Sequence, residues 1–286
     1  MRGVLPMTSR RFMQLDVFAS GPFTGNPLAV VLDGEGLSTA EMQQITDWTN
    51  LSEATFLSAP THPEADYRVR IFCPGRELPF AGHPTLGSCQ AWLSGGGVPM
   101  STGRIVQECG AGLIAIRRDG DRLAFAAPPM IRTGPVDPAL LERRIRLIGL
   151  DESDVVASAW IDNGPGWMGI LLESADAVLD VDVPHASEPG FDVGLVGLRG
   201  PESDCAIEVR AFFADGSGSI REDPVTGSLN ASVAQWLTET GRVEAPYVAA
   251  QGQQLGRRGR VYVEADDGEL WIGGRSTVSI TGTLST

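Results

Sequence analysis

"GHPTLGS" at 82–88 and "EDPVTGS" at 222–228 share one pattern: a polar residue, Pro, two further residues, then Gly and Ser. His83 leads the first copy and Asp223 the second, at an offset of 140 residues. At that same offset "VRIF" (69–72) meets "VRAF" (209–212), and Gly87, Ser88 and Ala91 meet Gly227, Ser228 and Ala231. No gap is required from the strand through to the helix. Half the chain length is the natural period of a duplicated lobe, so the pattern predicts two similar halves.

Each copy has a physical reading. "YRVRIF" and "AIEVRAFF" alternate apolar and polar residues, the period-2 mark of a half-buried strand. The loops "CPGRELPFAG" and "ADGSGSIRE" come next, and then a helix begins in each half. Asp223 is a favoured N-cap, His83 is a less usual one, and Pro84 and Pro224 fit the first helical position, where a missing N–H is harmless. The helices "TLGSCQAWL" and "VTGSLNASVAQWL" carry almost no charge before Glu239, which predicts burial on most sides. Gly87 and Gly227 each cost a helix interior about 1 kcal/mol relative to Ala, so something is expected to approach them closely, either another segment or a ligand.

Short strands punctuated by Gly and Pro fill the remainder, among them "MQLDVFA", "PLAVVLD", "ATFLSA", "RIVQEC" and "GLIAIRR" in the first half. "GWMGILLE", "RVYVEAD" and "ELWIGG" are their counterparts in the second. "STAEMQQITDWTN" reads as a surface helix capped by Ser38, and "DPALLERRIRLIGL" as another helix. The expected organisation is a loose leader at 1–12, a first lobe at 13–128 and a second at 129–276. The Pro-rich "APPMIRTGPVDP" (127–138) marks the boundary, and 277–286 is a candidate last strand of the first lobe.

The 286 residues carry 22 Lys and Arg against 36 Asp and Glu, a formal charge of −14. Such a chain repels phosphate backbones and anionic lipid, which argues against nucleic-acid and membrane-surface roles. No apolar run reaches the ~20 residues that span a bilayer, and "MRGVLPMTSRRFM" lacks the apolar core of a signal peptide. Met1, Met7 and Met13 are all candidate starts. Cys73, Cys89, Cys109 and Cys205 have no CxxC spacing and read as reduced thiols, so a cytoplasmic location is expected. His62, His83 and His185 show no metal-binding spacing, and neither a Walker A nor a dinucleotide fingerprint occurs, so no metal or cofactor is expected.

Acid–base chemistry with side chains alone then remains open, and it needs groups that titrate near neutral pH. His83 does so unperturbed. Two uncharged helices whose first N–H groups face one small anion would form a carboxylate site, with Gly82, Gly87, Gly227 and Ser228 letting the ligand approach the backbone. "TNLSEATFL" puts Glu53 between a helix end and an apolar strand. Desolvated there, it could shuttle a proton; from position alone the solvated turn glutamate is the favoured reading.

"SGPFTGNPLAVVLDG", "NLSEATFL", "RELPFAGHPTLGS" and "EDPVTGSLNASVAQWL" together strongly resemble the phenazine-biosynthesis PhzF-like proteins, relatives of diaminopimelate epimerase and proline racemase. The similarity runs from about Met13 through nearly the whole chain, with four motifs in the same order. It implies an α+β fold of two pseudo-symmetric lobes, each a β-barrel wrapped around a central helix. It also implies a metal- and cofactor-free isomerase of a small carboxylate, the family's best-known member isomerising trans-2,3-dihydro-3-hydroxyanthranilate by a 1,5-hydrogen shift. By the resemblance Glu53 moves the proton and His83 and Asp223 line the cleft. The backbones of Gly82, Gly227 and Ser228 hold the carboxylate, and Asn26 of the GNP motif lines the site. A homodimer is the implied assembly. The epimerase relatives use two cysteines as acid and base, whereas this chain has His83 and Asp223, so two-thiol chemistry is not expected and Cys89 reads as a core residue. A non-catalytic binder of small carboxylates with the same cleft is the alternative.

Overall fold

The computed structural model describes residues 7–183 and 186–286, and His185, considered above for metal binding, lies outside them. The chain divides into two units. The first comprises Met1–Val17, Pro27–Arg118 and Ser276–Thr286; the second comprises Phe18–Asn26 and Asp119–Arg275. The Pro-rich segment read as a boundary therefore lies inside the second unit, and the chain changes unit just before it, after Arg118.

The elements of the first unit are β1 (Ser9–Val17), β2 (Asn26–Val31), α1 (Thr39–Thr49), β3 (Ala54–Ser58), β4 (Tyr67–Cys73), β5 (Arg76–Leu78), α2 (Gly82–Ser94), β6 (Arg104–Cys109) and β7 (Gly112–Asp119), with the end residues Asn26 and Asp119 counted in the second. Ser9–Phe12, expected in a loose leader, are the start of β1, because they pair with the C-terminal strand as far as Ser9 with Ser285. Ser38 caps α1 in a reciprocal capping box with Glu41, as the sequence pattern predicts. Ala29, Val31, Met42, Ala54, Phe56 and Phe72 form a core under α1.

The second unit holds β8 (Arg122–Ala126), β9 (Arg132–Gly134), α3 (Pro138–Leu147), β10 (Val155–Asp162), β11 (Met168–Leu172), α4 (Ala175–Leu179), β12 (Asp192–Leu198), β13 (Ile207–Ala214), β14 (Ile220–Asp223), α5 (Gly227–Glu239), β15 (Tyr247–Gln251), β16 (Gly259–Asp266) and the first residues of β17 (Glu269–Ser285).

Strand pairing displays the duplication. In the first unit β2–β3 and β4–β6 are parallel, while β3–β4, β4–β5 and β6–β7 are antiparallel. In the second, β11–β12 and β13–β15 are parallel, while β12–β13, β13–β14 and β15–β16 are antiparallel. Order and sign agree pair by pair. Even the side chains of the matching hairpins recur. Arg70 lies over the Phe72 ring and pairs with Glu77, and Arg210 lies over the Phe212 ring and pairs with Glu222.

The gapless alignment of the two halves is overturned, however. Ile71 faces Leu78 across the first hairpin, whereas Ala211 faces Asp223 across the second, which is five residues longer. Both buried helices have 13 residues and begin at Gly82 and Gly227, an offset of 145 rather than 140. The first helical hydrogen bonds, Thr85 N–H to Ala81 and Asn230 N–H to Thr226, keep that offset. Strands tolerate a longer turn between them without loss of register, so a loop absorbed the difference. The loops "CPGRELPFAG" and "ADGSGSIRE" accordingly contain β5 and β14.

Candidate active site

The helix starts differ from expectation in a way that matters for chemistry. Neither His83 nor Asp223 is an N-cap: the caps are Ala81 and Thr226, and neither makes a side-chain capping bond. His83 is the second residue of α2 and Pro84 the third. Asp223 ends β14, four residues before α5, with Pro224 in the connection. In the corrected frame the counterpart of His83 is Ser228, and the counterpart of Asp223 is Leu78. Gly82 and Gly227, each buried, are the first residues of their helices. Gly87 is explained by packing, not by a ligand. A Cβ on it would lie 2.5 Å from Leu28 Cδ2 and 2.9 Å from Val17 Cγ2.

In the first unit the structure brings Glu53 to His83. Glu53 sits between the left-handed C-cap of α1, Asn50, and the first residue of β3. His83 is carried into the unit by α2, whose first eight residues are all buried. The His83 Nε2 and Glu53 Oε2 atoms are 3.3 Å apart, with side-chain exposures of 4% and 16%. Burial pushes the imidazole from 6.5 down to about 3, so it is neutral at pH 7. A neutral imidazole thus faces a carboxyl group that keeps some exposure to solvent.

In the second unit Asn26 and Asp223 meet. Asn26 donates Nδ2–H to Asp223 Oδ1 and to the Val225 carbonyl, each at 3.0 Å. The Thr226 hydroxyl donates to Asp223 Oδ2 at 2.5 Å. Both carboxyl oxygens therefore accept bonds. Gln251, at the end of β15 and 1% exposed, ties the same turn together. Its amide nitrogen donates to the Asp223 carbonyl at 3.1 Å and the Thr226 hydroxyl at 3.0 Å. Its amide oxygen accepts from Thr226 N–H at 3.0 Å and from Asn230 Nδ2 at 2.8 Å. Ser228 is held in turn by Asn163 and Trp167, from the turn between β10 and β11.

Of the residues named from the sequence, the structure thus joins Glu53 to His83 and Asn26 to Asp223. It sets Gly227 and Ser228 in the first turn of α5, directly beyond the Asp223 turn. Gln251, Thr226, Asn163 and Trp167 escaped sequence reading. The Gly/Pro-rich "DNGPGW" is at least a turn signal. Gln251 has no local signal, because only the parallel pairing of β13 with β15 brings it to Asp223. Cys89 is fully buried and its thiol is pushed up to about 12 by burial, in keeping with a core residue. No described helix is long and apolar enough to cross a membrane.

Two buried helices in units of matching strand order define a duplicated α+β scaffold. The same fold is seen in a proline racemase from Agrobacterium radiobacter, with a TM-score of 0.58 at 14% identity over 96% of this chain and 92% of that one. It is the diaminopimelate epimerase-like fold. A PhzF-family protein from Enterococcus faecalis matches with a TM-score of 0.76 at 23% identity, covering 97% of this chain and 99% of its own. The family model described as phenazine biosynthesis-like protein matches residues 15–284. Among curated relatives, Antisense-enhancing sequence 1 of Schizosaccharomyces pombe is 34% identical over 96% of this chain and 99% of its own length. A trans-2,3-dihydro-3-hydroxyanthranilate isomerase of Pseudomonas fluorescens is 30% identical over 89% and 90%. The chain belongs to the phenazine biosynthesis-like (PhzF) family and is an isomerase of that family.

Proposed function

We propose that this isomerase moves a proton between two carbons of a small carboxylate substrate by general acid–base catalysis, with Glu53 as the group that carries it. The observation that bears this reading is the 3.3 Å approach of Glu53 to a buried, neutral His83. The Glu53 carboxylate takes a proton from one carbon, the double bonds of the substrate shift, and the carboxyl group returns the proton to another carbon. Nothing is oxidised or reduced. His83, beside the carboxyl group, stabilises whichever form is present. Asp223, braced by Asn26 and Thr226, accepts hydrogen bonds from donor groups of the substrate. The N–H groups of Gly82, Gly227 and Ser228, in helix starts without side-chain caps, hold the substrate carboxylate. The P. fluorescens relative makes trans-2,3-dihydro-3-hydroxyanthranilate the first compound to assay.

General acid–base help is worth about 10²–10⁴ in rate. Glu53→Gln is therefore expected to lower solvent-deuterium incorporation into this compound, or into another carboxylate substrate, by that factor, with an unchanged thermal unfolding curve. Persistence of exchange at the wild-type rate in the folded variant would remove Glu53 as the base. We also propose a cytoplasmic homodimer, which light scattering after size exclusion tests for the assembly.

A further inference from the structure

The turn between β10 and β11 holds the start of α5 with two side chains. Its own shape is set by Asp162, whose Oδ1 accepts from Gly164 N–H at 2.7 Å and Gly166 N–H at 2.8 Å. Both glycines have positive φ, 139° and 105°, which this tight turn requires. From it Asn163 donates Nδ2–H to the Ser228 carbonyl at 2.9 Å. Trp167, only 3% exposed, donates its indole N–H to the Ser228 hydroxyl at 3.1 Å.

An indole N–H can only donate, so this bond uses one lone pair of Ser228 Oγ and leaves the hydroxyl hydrogen over. Ser228 is 8% exposed, and its hydroxyl hydrogen has no acceptor among the described residues. A buried donor without an acceptor is costly, and such groups mark places where a ligand completes the bonding. The leftover hydrogen stands in the same first turn as the Gly227 and Ser228 N–H groups, which no capping side chain takes.

We infer that Trp167 and Asn163 are positioning residues that aim the Ser228 hydroxyl at an oxygen of the substrate carboxylate, adding a side-chain donor to the backbone ones. Asn163 fixes the main chain of Ser228, and Trp167 fixes its rotamer and dictates which way its proton points. The inference rests on the carboxylate-holding role proposed above for the start of α5.

The test uses the full-length protein and its Trp167→Phe and Ser228→Ala variants. Trp167→Phe keeps a ring in the buried site and deletes the donor. The probes are anthranilate, a carboxylate with no saturated carbon to isomerise, and aniline, the same ring without the carboxylate. Calorimetry is expected to show each variant binding anthranilate about 2–10-fold more weakly, the range of one net hydrogen bond. The double variant should lose no more than Ser228→Ala alone, because Trp167 acts through Ser228. Aniline binding should not change. The indole N–H resonance of Trp167 should move in Ser228→Ala and, in the wild type, on adding anthranilate. If Ser228→Ala weakens anthranilate and Trp167→Phe does not, or if the indole signal ignores Ser228→Ala, the inference falls while the carboxylate role stands. If the wild type does not prefer anthranilate to aniline, the carboxylate role falls and takes the inference with it.

Discussion

The two β-hairpins that lead into the buried helices are the same object in different surroundings. In the first, Arg70 and Glu77 pair with side-chain exposures of 26% and 38%. In the second, Arg210 and Glu222 pair at 1% each, and the Arg210 guanidinium also donates to the carbonyls of Val178 in α4 and Val181 just after it. The buried pair fixes Glu222, the residue before Asp223. The longer second hairpin and its buried clamp turn a strand end into a rigid mount for a carboxylate. At the equivalent place the shorter hairpin has Leu78, and there the ionisable groups are His83 within the helix and Glu53 beside it. Duplication supplied one scaffold, and a five-residue difference in one turn put unlike groups at the two helix starts.

The comparison is sharpest where the same substitution is made in both hairpins. Arg210→Met should destabilise the protein by about 3–5 kcal/mol, because it leaves Glu222 buried without its partner. Arg70→Met should cost about 0–1 kcal/mol, as for other exposed pairs. Chemical denaturation of both variants checks this, and equal losses would mean that the two clamps do not differ. Adding Glu222→Met to Arg210→Met should recover much of the loss, since the uncompensated charge goes.

A second contrast lies inside the helices. Gly87→Ala forces a methyl group against Leu28 and Val17 and should cost about 1–3 kcal/mol by overpacking. Its counterpart in the 145-residue frame, Ser232, is fully buried with a hydroxyl that has no partner among the described residues. Ser232→Ala should therefore be neutral or slightly stabilising. A reversal of these signs in thermal melts would put the frame itself in question.

The smallest effect is read as a slope. His83 has a folded-state pKa of about 3 against 6.5 unperturbed. Below pH 6.5 the unfolded chain takes up a proton that the folded one refuses until about pH 3. Stability from this group is thus complete above pH 6.5 and declines as the pH falls, by up to about 1.4 kcal/mol per pH unit. A His83→Asn variant should show a flatter dependence of unfolding free energy on pH across that window. An unchanged slope would mean that His83 is not held neutral by burial.

Much of this was legible in the sequence. The Ser38 capping box, the strand alternation in "YRVRIF" and the uncharged run after Gly227 are local patterns, and local backbone and burial preferences act within a few residues. The repeated "VRIF" and "VRAF" disclosed the duplication for the same reason. The repeated Pro-x-x-Gly-Ser misled, because identical letters on either side of a hairpin of different length do not occupy identical positions. Its place before an apolar strand made Glu53 a candidate, but only the resemblance favoured it over a solvated turn glutamate. Its contact with His83 joins the start of β3 to the start of α2, and no spacing along the chain announces it.

By itself, then, the sequence determined the two-lobed α+β scaffold, the buried helices and the family, since hydrophobic periodicity and motif order are written residue by residue. The tertiary structure alone decided which residues share a position in the two halves. It alone also decided that His83 is neutral beside Glu53, and that Asn26, Thr226 and Gln251 brace Asp223. Desolvation and hydrogen bonding depend on neighbours that only folding brings together.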